Sequence, residues 1–150
     1  RPDYSFVFTG PEDDIFRRNR IHSLKNAYFT GQKKVDELPA YIAAYDVCIN
    51  PQMVNEITDG NYPLKIDEYL AMGKPTVATS THTMRNIFAG HTHLAINPEE
   101  WLAAIDRAVT EADDKELAKQ RIAFAETHSW GHSVKKIYEI IDSFLKKKTT

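Results

Sequence analysis

Short apolar runs rich in β-forming residues alternate along the chain with stretches of helical periodicity. Residues 5–9, Ser-Phe-Val-Phe-Thr, predict a strand that stops at the turn signal Gly10-Pro11. Asp13 and Asp14 predict the cap of a helix running toward Leu24. Residues 27–29, Ala-Tyr-Phe, read as a second strand closed by Gly31. Residues 35–39 open a helix that tolerates Pro39 in its first turn, with Leu38, Ile42 and Tyr45 on one face. Residues 46–49 form a third expected strand, ended by Asn50-Pro51, and residues 50–62 follow as a polar loop without periodicity. Pro63 is expected at the first position of a helix that carries Leu64, Ile66, Tyr69, Leu70 and Met72. Gly73 and then Pro75 stop that helix. Residues 75–78 predict a fourth strand, 83–89 a short helix and 93–96 a fifth strand. From Pro98 onward the pattern is helical, over 99–112, 114–127 and 131–147.

Strands alternating with helices imply βαβ units, hence an α/β fold with a Rossmann-like parallel sheet and helices on both faces. In open sheets of this kind ligands bind beyond the carboxyl ends of the strands. The loops after Phe8, Phe29 and Ile49 therefore matter most. The last is long enough to be more often functional than accidental. No internal repeat or low-complexity segment interrupts the pattern.

Composition narrows the classes. A chain of 150 residues, 42 % hydrophobic and 27 % charged, is long enough to bury a core as one globular domain. Its net charge of −2 gives no global attraction to nucleic acid, and none is expected as a partner. A single cysteine, Cys48, excludes an internal disulfide and is expected as an inert core thiol. The best apolar stretch, residues 41–49, is short and broken by Asp46, so it cannot span a bilayer. The N-terminus has neither a signal-peptide pattern nor an initiator Met. Arg1 is therefore expected to be a cut within a longer protein, and the location to be cytoplasmic.

The chemistry concentrates in residues 63–75, Pro-Leu-Lys-Ile-Asp-Glu-Tyr-Leu-Ala-Met-Gly-Lys-Pro. A helix started by Pro63 leaves the N–H groups of Leu64 and Lys65 pointing out of its positive end, which favours an anion such as phosphate. Lys65 adds a full charge, and Glu68, three residues on, shares its face. A cation and a carboxylate so placed suit the phosphate and hydroxyl ends of one nucleotide. The same spacing equally suits a capped helix with an exposed Lys65–Glu68 pair, and spacing alone does not decide.

The segment Pro-x-Lys-x-x-Glu-Tyr-x-Ala-x-Gly-x-Pro before an apolar strand resembles the donor-site signature of retaining glycosyltransferases of the GT-B fold, the "group 1" or family 4 class. Other stretches resemble that family in order and spacing. They are residues 5–11 ending in Gly-Pro, 26–31 (Asn-Ala-Tyr-Phe-Thr-Gly), 37–41 (Glu-Leu-Pro-Ala-Tyr), 45–47 (Tyr-Asp-Val) and Ser129-Trp130. The resemblance covers nearly the whole chain. It implies the larger part of a C-terminal, donor-binding half of a GT-B enzyme, with a nucleotide-sugar as substrate and no metal or other cofactor.

By the same resemblance, Glu68 would accept hydrogen bonds from the ribose hydroxyls, and Lys65 with the N–H of Leu64 would bind the diphosphate. Gly31, Gln32 and Lys33 would meet the nucleobase edge. The loop holding Asn55, Thr58 and Asp59 would meet the donor sugar. Many members carry a second Glu eight residues before the one matching Glu68. Gly60 stands there, with Asp59 or Glu56 as substitutes, and a branch with Asn-x-x-Thr, like Asn55 and Thr58, is closest. An earlier βα unit with a Gly-rich loop and a phosphate-binding Arg is absent, as is the N-terminal acceptor domain. That acceptor domain is the expected partner, and a strand edge left by the missing unit would serve a weak homodimer. The readings kept beside this one are a non-enzymatic nucleotide- or anion-binding Rossmann-like module and a nucleotide-sugar epimerase of the same architecture.

Remaining signals are weaker. His91 and His93 would share a strand face as a metal pair, but no further ligands stand at recognisable spacing, and solvated loop histidines are expected. His22, His82, His128 and His132 form no visible constellation. Asp13-Asp14 and Asp113-Asp114 read as helix caps. The lysines at 146–148 suit a peripheral contact with anionic lipid at an inner membrane face, but are more simply solvated. Val134, Ile137, Tyr138, Ile141, Phe144 and Leu145 form an apolar stripe on the last helix. It packs on its own domain or, by resemblance, crosses toward the missing one.

Overall fold

A computed structural model of the chain describes residues 1–148, with side chains through residue 146. Two compact units divide it, Arg1–Tyr41 and Ile42 onward. The expected α/β class is present, and all the paired strands run parallel. The strands form two ladders among the described residues rather than one sheet.

The first unit pairs β1 (Phe6–Thr9) with β2 (Ala27–Gly31). Between them the single helix expected from Asp13 to Leu24 is interrupted. Asp13 does cap α1 (Asp14–Arg17), its carboxylate accepting from Phe16 N at 2.6 Å. Asn19 then accepts from Ile21 N and starts a separate 3-10 turn, Arg20–Ser23. An Asn side chain competes in this way with the helical ladder. Phe8, Phe16, Phe29 and the ring of His22 pack together, His22 stacked on Phe29 at 3.8 Å. Helix α2 (Leu38–Ala44) begins at Leu38 rather than 35, with Pro39 in its first turn.

The second unit holds β3 (Cys48–Asn50), β4 (Thr76–Thr79) and β5 (His93–Ala95) in the order β3-β4-β5. Every residue of β4 is buried, as a central strand requires. Its side chains alternate between two cores. Ala78 joins Ile66 and Leu70 of α3 (Leu64–Ala71), Met84 and Phe88, and Ala125 of α5 (Lys115–Glu126). Val77 joins Ala95 with Ala104 and Ala108 of α4 (Pro98–Thr110). This sheet is therefore covered by helices on both faces.

Residues Met84–Phe88 form a π-helix where a short helix is expected. Ile96 falls outside β5 and is exposed. Asn97 caps α4 and Asp114 caps α5, the latter accepting from Glu116 N and Leu117 N. The last helix, α6 (Trp130–Lys148), exposes its apolar stripe, with Ile137 at 56 % and Tyr138 at 64 %. Lys147 and Lys148 of the terminal lysine run have side chains outside the described residues. No described helix is long and apolar enough to cross a membrane.

Candidate functional site

The carboxyl end of the second sheet is closed by side chains that tie the long loop to the strands. The Thr79 hydroxyl, at the last position of β4, accepts from Gln52 N at 2.7 Å and donates to Gln52 O at 3.0 Å. The loop after β3 thus leaves the sheet already fastened to its neighbour. Farther along, Asn55 Oδ1 accepts from Ile57 N and Thr58 N, and the Thr58 hydroxyl donates to Met53 O. Asp59 Oδ1 accepts from His82 N at 2.7 Å, and Asp59 O accepts from Thr83 N. The side chains of Asn55, Thr58 and Asp59 therefore shape the loop and fix it to the segment after β4. The aperiodic sequence of this loop hides a set of local side-chain-to-backbone bonds.

Helix α3 rises from the end of that loop. Pro63 is its N-cap, not its first helical residue, and it offers no side-chain hydrogen bond to the helix end. Ile66 N bonds Pro63 O, while the N–H groups of Leu64 and Lys65 have no partner among the described residues. The helix dipole and these two donors make the end of α3 positive. Lys65 and Glu68 are exposed, and neither makes a side-chain hydrogen bond or ion pair among the described residues. The Lys65–Glu68 pair that i, i+3 spacing allows is not formed.

The opposite end of α3 is closed tightly. Gly73 N bonds Leu70 O at 2.8 Å and Lys74 N bonds Tyr69 O at 3.0 Å, the two bonds of a Schellman motif. Gly73 adopts φ +72°, the left-handed conformation such a motif needs. Arg121 of α5 is buried, bonds Gly73 O at 3.3 Å and pairs with Glu111. Burial pulls its guanidinium below the usual value, and Glu111 opposes that pull.

A network absent from the sequence-based expectations lies beside the open end. The two carboxylate oxygens of Asp67 are both engaged: Tyr62 Oη donates to Oδ2 at 2.6 Å, and His128 Nδ1 lies 2.8 Å from Oδ1. The His128 ring sits edge-on to Phe124 at 4.6 Å, Phe88 at 5.7 Å and Tyr62 at 6.4 Å. Burial and then the Asp67 carboxylate push the Tyr62 phenol upward. Tyr62 and Asp67 occupy the positions flanking a helix start where an apolar staple usually forms, which was the available signal. His128 is 61 positions from Asp67, and sequence spacing does not reveal such a contact.

His91 and His93 are held by different partners. His91 stacks on Phe124 at 3.9 Å, and burial, with Arg121 and His128 nearby, holds its pKa down. His93 Nε2 lies 3.0 Å from Glu111 Oε1. They are therefore packed and paired rather than solvated, and no cluster of three metal-ligating side chains exists among the described residues. Cys48 is buried, which pushes its thiol up to about 12.

In the first unit, Gly31 ends β2 at φ +70°, its carbonyl accepting from Gly10 N at 3.1 Å. Gln32 is exposed, and the Lys33 ammonium lies 5.2 Å from the centroid of the Tyr41 ring. Of the expected donor residues, Leu64, Lys65 and Glu68 stand together on one helix end. Asn55, Thr58 and Asp59 lie in the loop that leads to it, and Gly31, Gln32 and Lys33 belong to the other unit.

Comparison with known proteins adds two findings. The sequence pattern of the family described as "Glycosyl transferases group 1" matches residues 1–111. A Bacillus subtilis (strain 168) protein named "Putative teichuronic acid biosynthesis glycosyltransferase TuaH" is 28 % identical over 136 residues, 87 % of this chain. The chain spans about a third, 34 %, of that relative's length.

Proposed function

From a chain that belongs to the group 1 glycosyltransferases, we propose a donor-binding domain of a retaining GT-B enzyme that takes a sugar from a nucleotide-sugar. The observation that carries this reading is the end of α3. Two N–H groups and a lysine at the exposed start of α3, and a glutamate one turn along, lie at the carboxyl end of a parallel sheet with no partner among the described residues. A capped, self-paired helix end leaves no such set available.

In this reading the Leu64 and Lys65 N–H groups and the Lys65 ammonium bind the diphosphate. As the bond from the anomeric carbon to the phosphate oxygen breaks, negative charge grows on the leaving diphosphate, and the positive helix end stabilises it. Glu68, one turn along, accepts from the ribose hydroxyls and sets the nucleoside's orientation. The 53–62 loop faces the sugar through its backbone. The Bacillus relative's name places it in teichuronic acid biosynthesis, so a glycan is the acceptor we assign to the whole enzyme, in a cytoplasmic location. The chain alone is inactive in transfer, because proximity of donor and acceptor in one closed cleft supplies much of the rate.

Titration with UDP, GDP and their sugars, followed by calorimetry or amide NMR, tests this. The expected result is nucleotide binding in the high-micromolar to millimolar range, roughly 4–6 kcal/mol, with a dependence on the sugar. Binding of orthophosphate as good as that of either nucleotide would mean a generic anion site instead.

A further inference from the structure

Helix α3 carries the two charged donor residues, yet its own N-cap, Pro63, adds no side-chain hydrogen bond to fix the helix start. Residues from three segments perform that task. Tyr62 ends the long loop, Asp67 lies in α3, and His128 lies between α5 and α6. Asp67 stands between Lys65 and Glu68 in sequence, so about 100° of helix rotation separates it from Glu68. The buried Ile66 and Leu70 hold α3 on the core, and the two engaged oxygens of Asp67 add a polar constraint on its rotation about its axis, and with it on the direction of Lys65 and Glu68. Neither of those two side chains has a partner of its own among the described residues.

We propose that Tyr62, Asp67 and His128 are positioning residues of the donor site: a clasp that holds α3 in the rotation at which Lys65 and Glu68 face the nucleotide. The inference rests on the donor-site reading above. In the clasp Asp67 accepts from Tyr62 Oη at one oxygen and from the His128 Nδ1–H at the other. The clasp closes the helix from the side. It occupies neither open N–H group, and this leaves them for the diphosphate. A side-chain cap of the Ser or Asp kind accepts from the second or third helical N–H and would take the Lys65 N–H instead.

Two substitutions at His128 separate the clasp from simple packing. His128→Phe keeps a ring against Phe124, Phe88 and Tyr62 but removes the donor. His128→Asn keeps a donor near the Nδ1 position but removes the ring. The readouts, on the 150-residue chain, are UDP and GDP affinity, thermal stability and the ligand-free amide signals of residues 64–68. The clasp predicts that His128→Phe and Tyr62→Phe each weaken nucleotide binding about fivefold, the loss of one hydrogen bond. Both shift the 64–68 amides, whereas His128→Asn retains affinity even where it lowers stability. Affinity that follows the ring instead, kept in Phe and lost in Asn, overturns the proposal. Binding that Glu68→Gln weakens while His128→Phe and Tyr62→Phe leave it unchanged overturns the clasp alone. The absence of any nucleotide response from the unaltered chain overturns the donor-site reading, and the clasp's role with it.

Discussion

Gly73 and Ala118 approach so closely that a Cβ built on Gly73 would lie 3.1 Å from the Ala118 Cβ. The glycine also holds φ +72°, so substitution meets both a neighbour and a strained backbone. Gly73→Ala is expected to cost about 1–3 kcal/mol of unfolding free energy. A denaturant midpoint shifted down at constant slope checks it. An unchanged midpoint would mean that α5 moves away from α3 freely.

Arg121 secures the same junction from the α5 side. It is 5 % exposed, pairs with Glu111 and bonds the Gly73 carbonyl. Arg121→Ala leaves both acceptors without their donor. We expect a loss of about 2–3 kcal/mol, below the range for a fully buried pair because Glu111 keeps some contact with water. Glu111→Gln is expected to cost less, since an amide oxygen still accepts from Arg121. Thermal unfolding of the two variants side by side decides the order.

Much of this region is legible in the sequence. Gly73 followed by Pro75 marks the helix stop, and residues 75–78, Pro-Thr-Val-Ala, mark the strand that follows. Asp114 marks the cap of α5. Each of these is local: the residues that make the structure lie within a few positions of one another. Asn19 shows a limit of such reading, because its side chain bonds two residues on and ends a helix expected to run from Asp13 and Asp14 toward Leu24. Pro63 shows another, since proline suits the N-cap and the first helical position, and only the dihedrals choose. The Asp67–His128 contact and the stacking of His91 on Phe124 depend on how α5 returns over α3, which no spacing encodes. Within the candidate site, spacing is enough to place Leu64, Lys65 and Glu68 on one helix, but whether Lys65 pairs with Glu68 is decided only by the fold. The use of Asn55, Thr58 and Asp59 inside the loop emerges only with the chain folded.

Alkaline pH is expected to destabilise the second unit. Burial raises the Cys48 thiol from 9.0 to about 12 and the Tyr69 phenol from 10.0 to about 12. In both cases the folded state favours the neutral, protonated form. The stability each contributes is complete below the unfolded value and is lost as the pH rises toward the folded one. With respect to these groups, denaturation midpoints should therefore be level up to pH 8 and fall between pH 9 and 12. Cys48→Ser or Cys48→Ala flattens the lower part of that fall. A midpoint that stays level across the window contradicts the burial argument.

Lys65 and Glu68 are expected to separate binding from stability. Neither side chain has a partner among the described residues, so removing either breaks no internal contact. Lys65→Ala and Glu68→Gln should each leave unfolding free energy within about 0.5 kcal/mol of the parent. Nucleotide binding should weaken by about 1 kcal/mol or more for each, through loss of a charge-assisted bond. Calorimetric titration paired with thermal melts reads both. A variant that loses stability and affinity together would place its side chain in the fold rather than in the donor site.

Two isoleucines in different settings test whether the stripe on α6 packs on its own unit. Ile66 is fully buried in the core shared by α3, α5 and β4. Ile137, on α6, is 56 % exposed, and its neighbours on the stripe, Val134 and Ile141, are each close to half exposed. Deleting a buried isoleucine to alanine loses its transfer energy and leaves a cavity, about 2–5 kcal/mol. An isoleucine already more than half in water has less to lose and leaves no cavity. Alanine is also the better helix former, which offsets part of what remains. Ile66→Ala should therefore cost several times more than Ile137→Ala, for which we expect under about 1 kcal/mol. The double variant Ile137→Ala/Ile141→Ala should stay under about 2 kcal/mol, since the two sites are neighbours on one face and need not add. Equal losses at Ile66 and Ile137 would show that α6 buries its stripe against this chain in solution. A small loss at Ile137, with self-association at high concentration reduced in the double variant, would show that the stripe is a surface left open for another occupant.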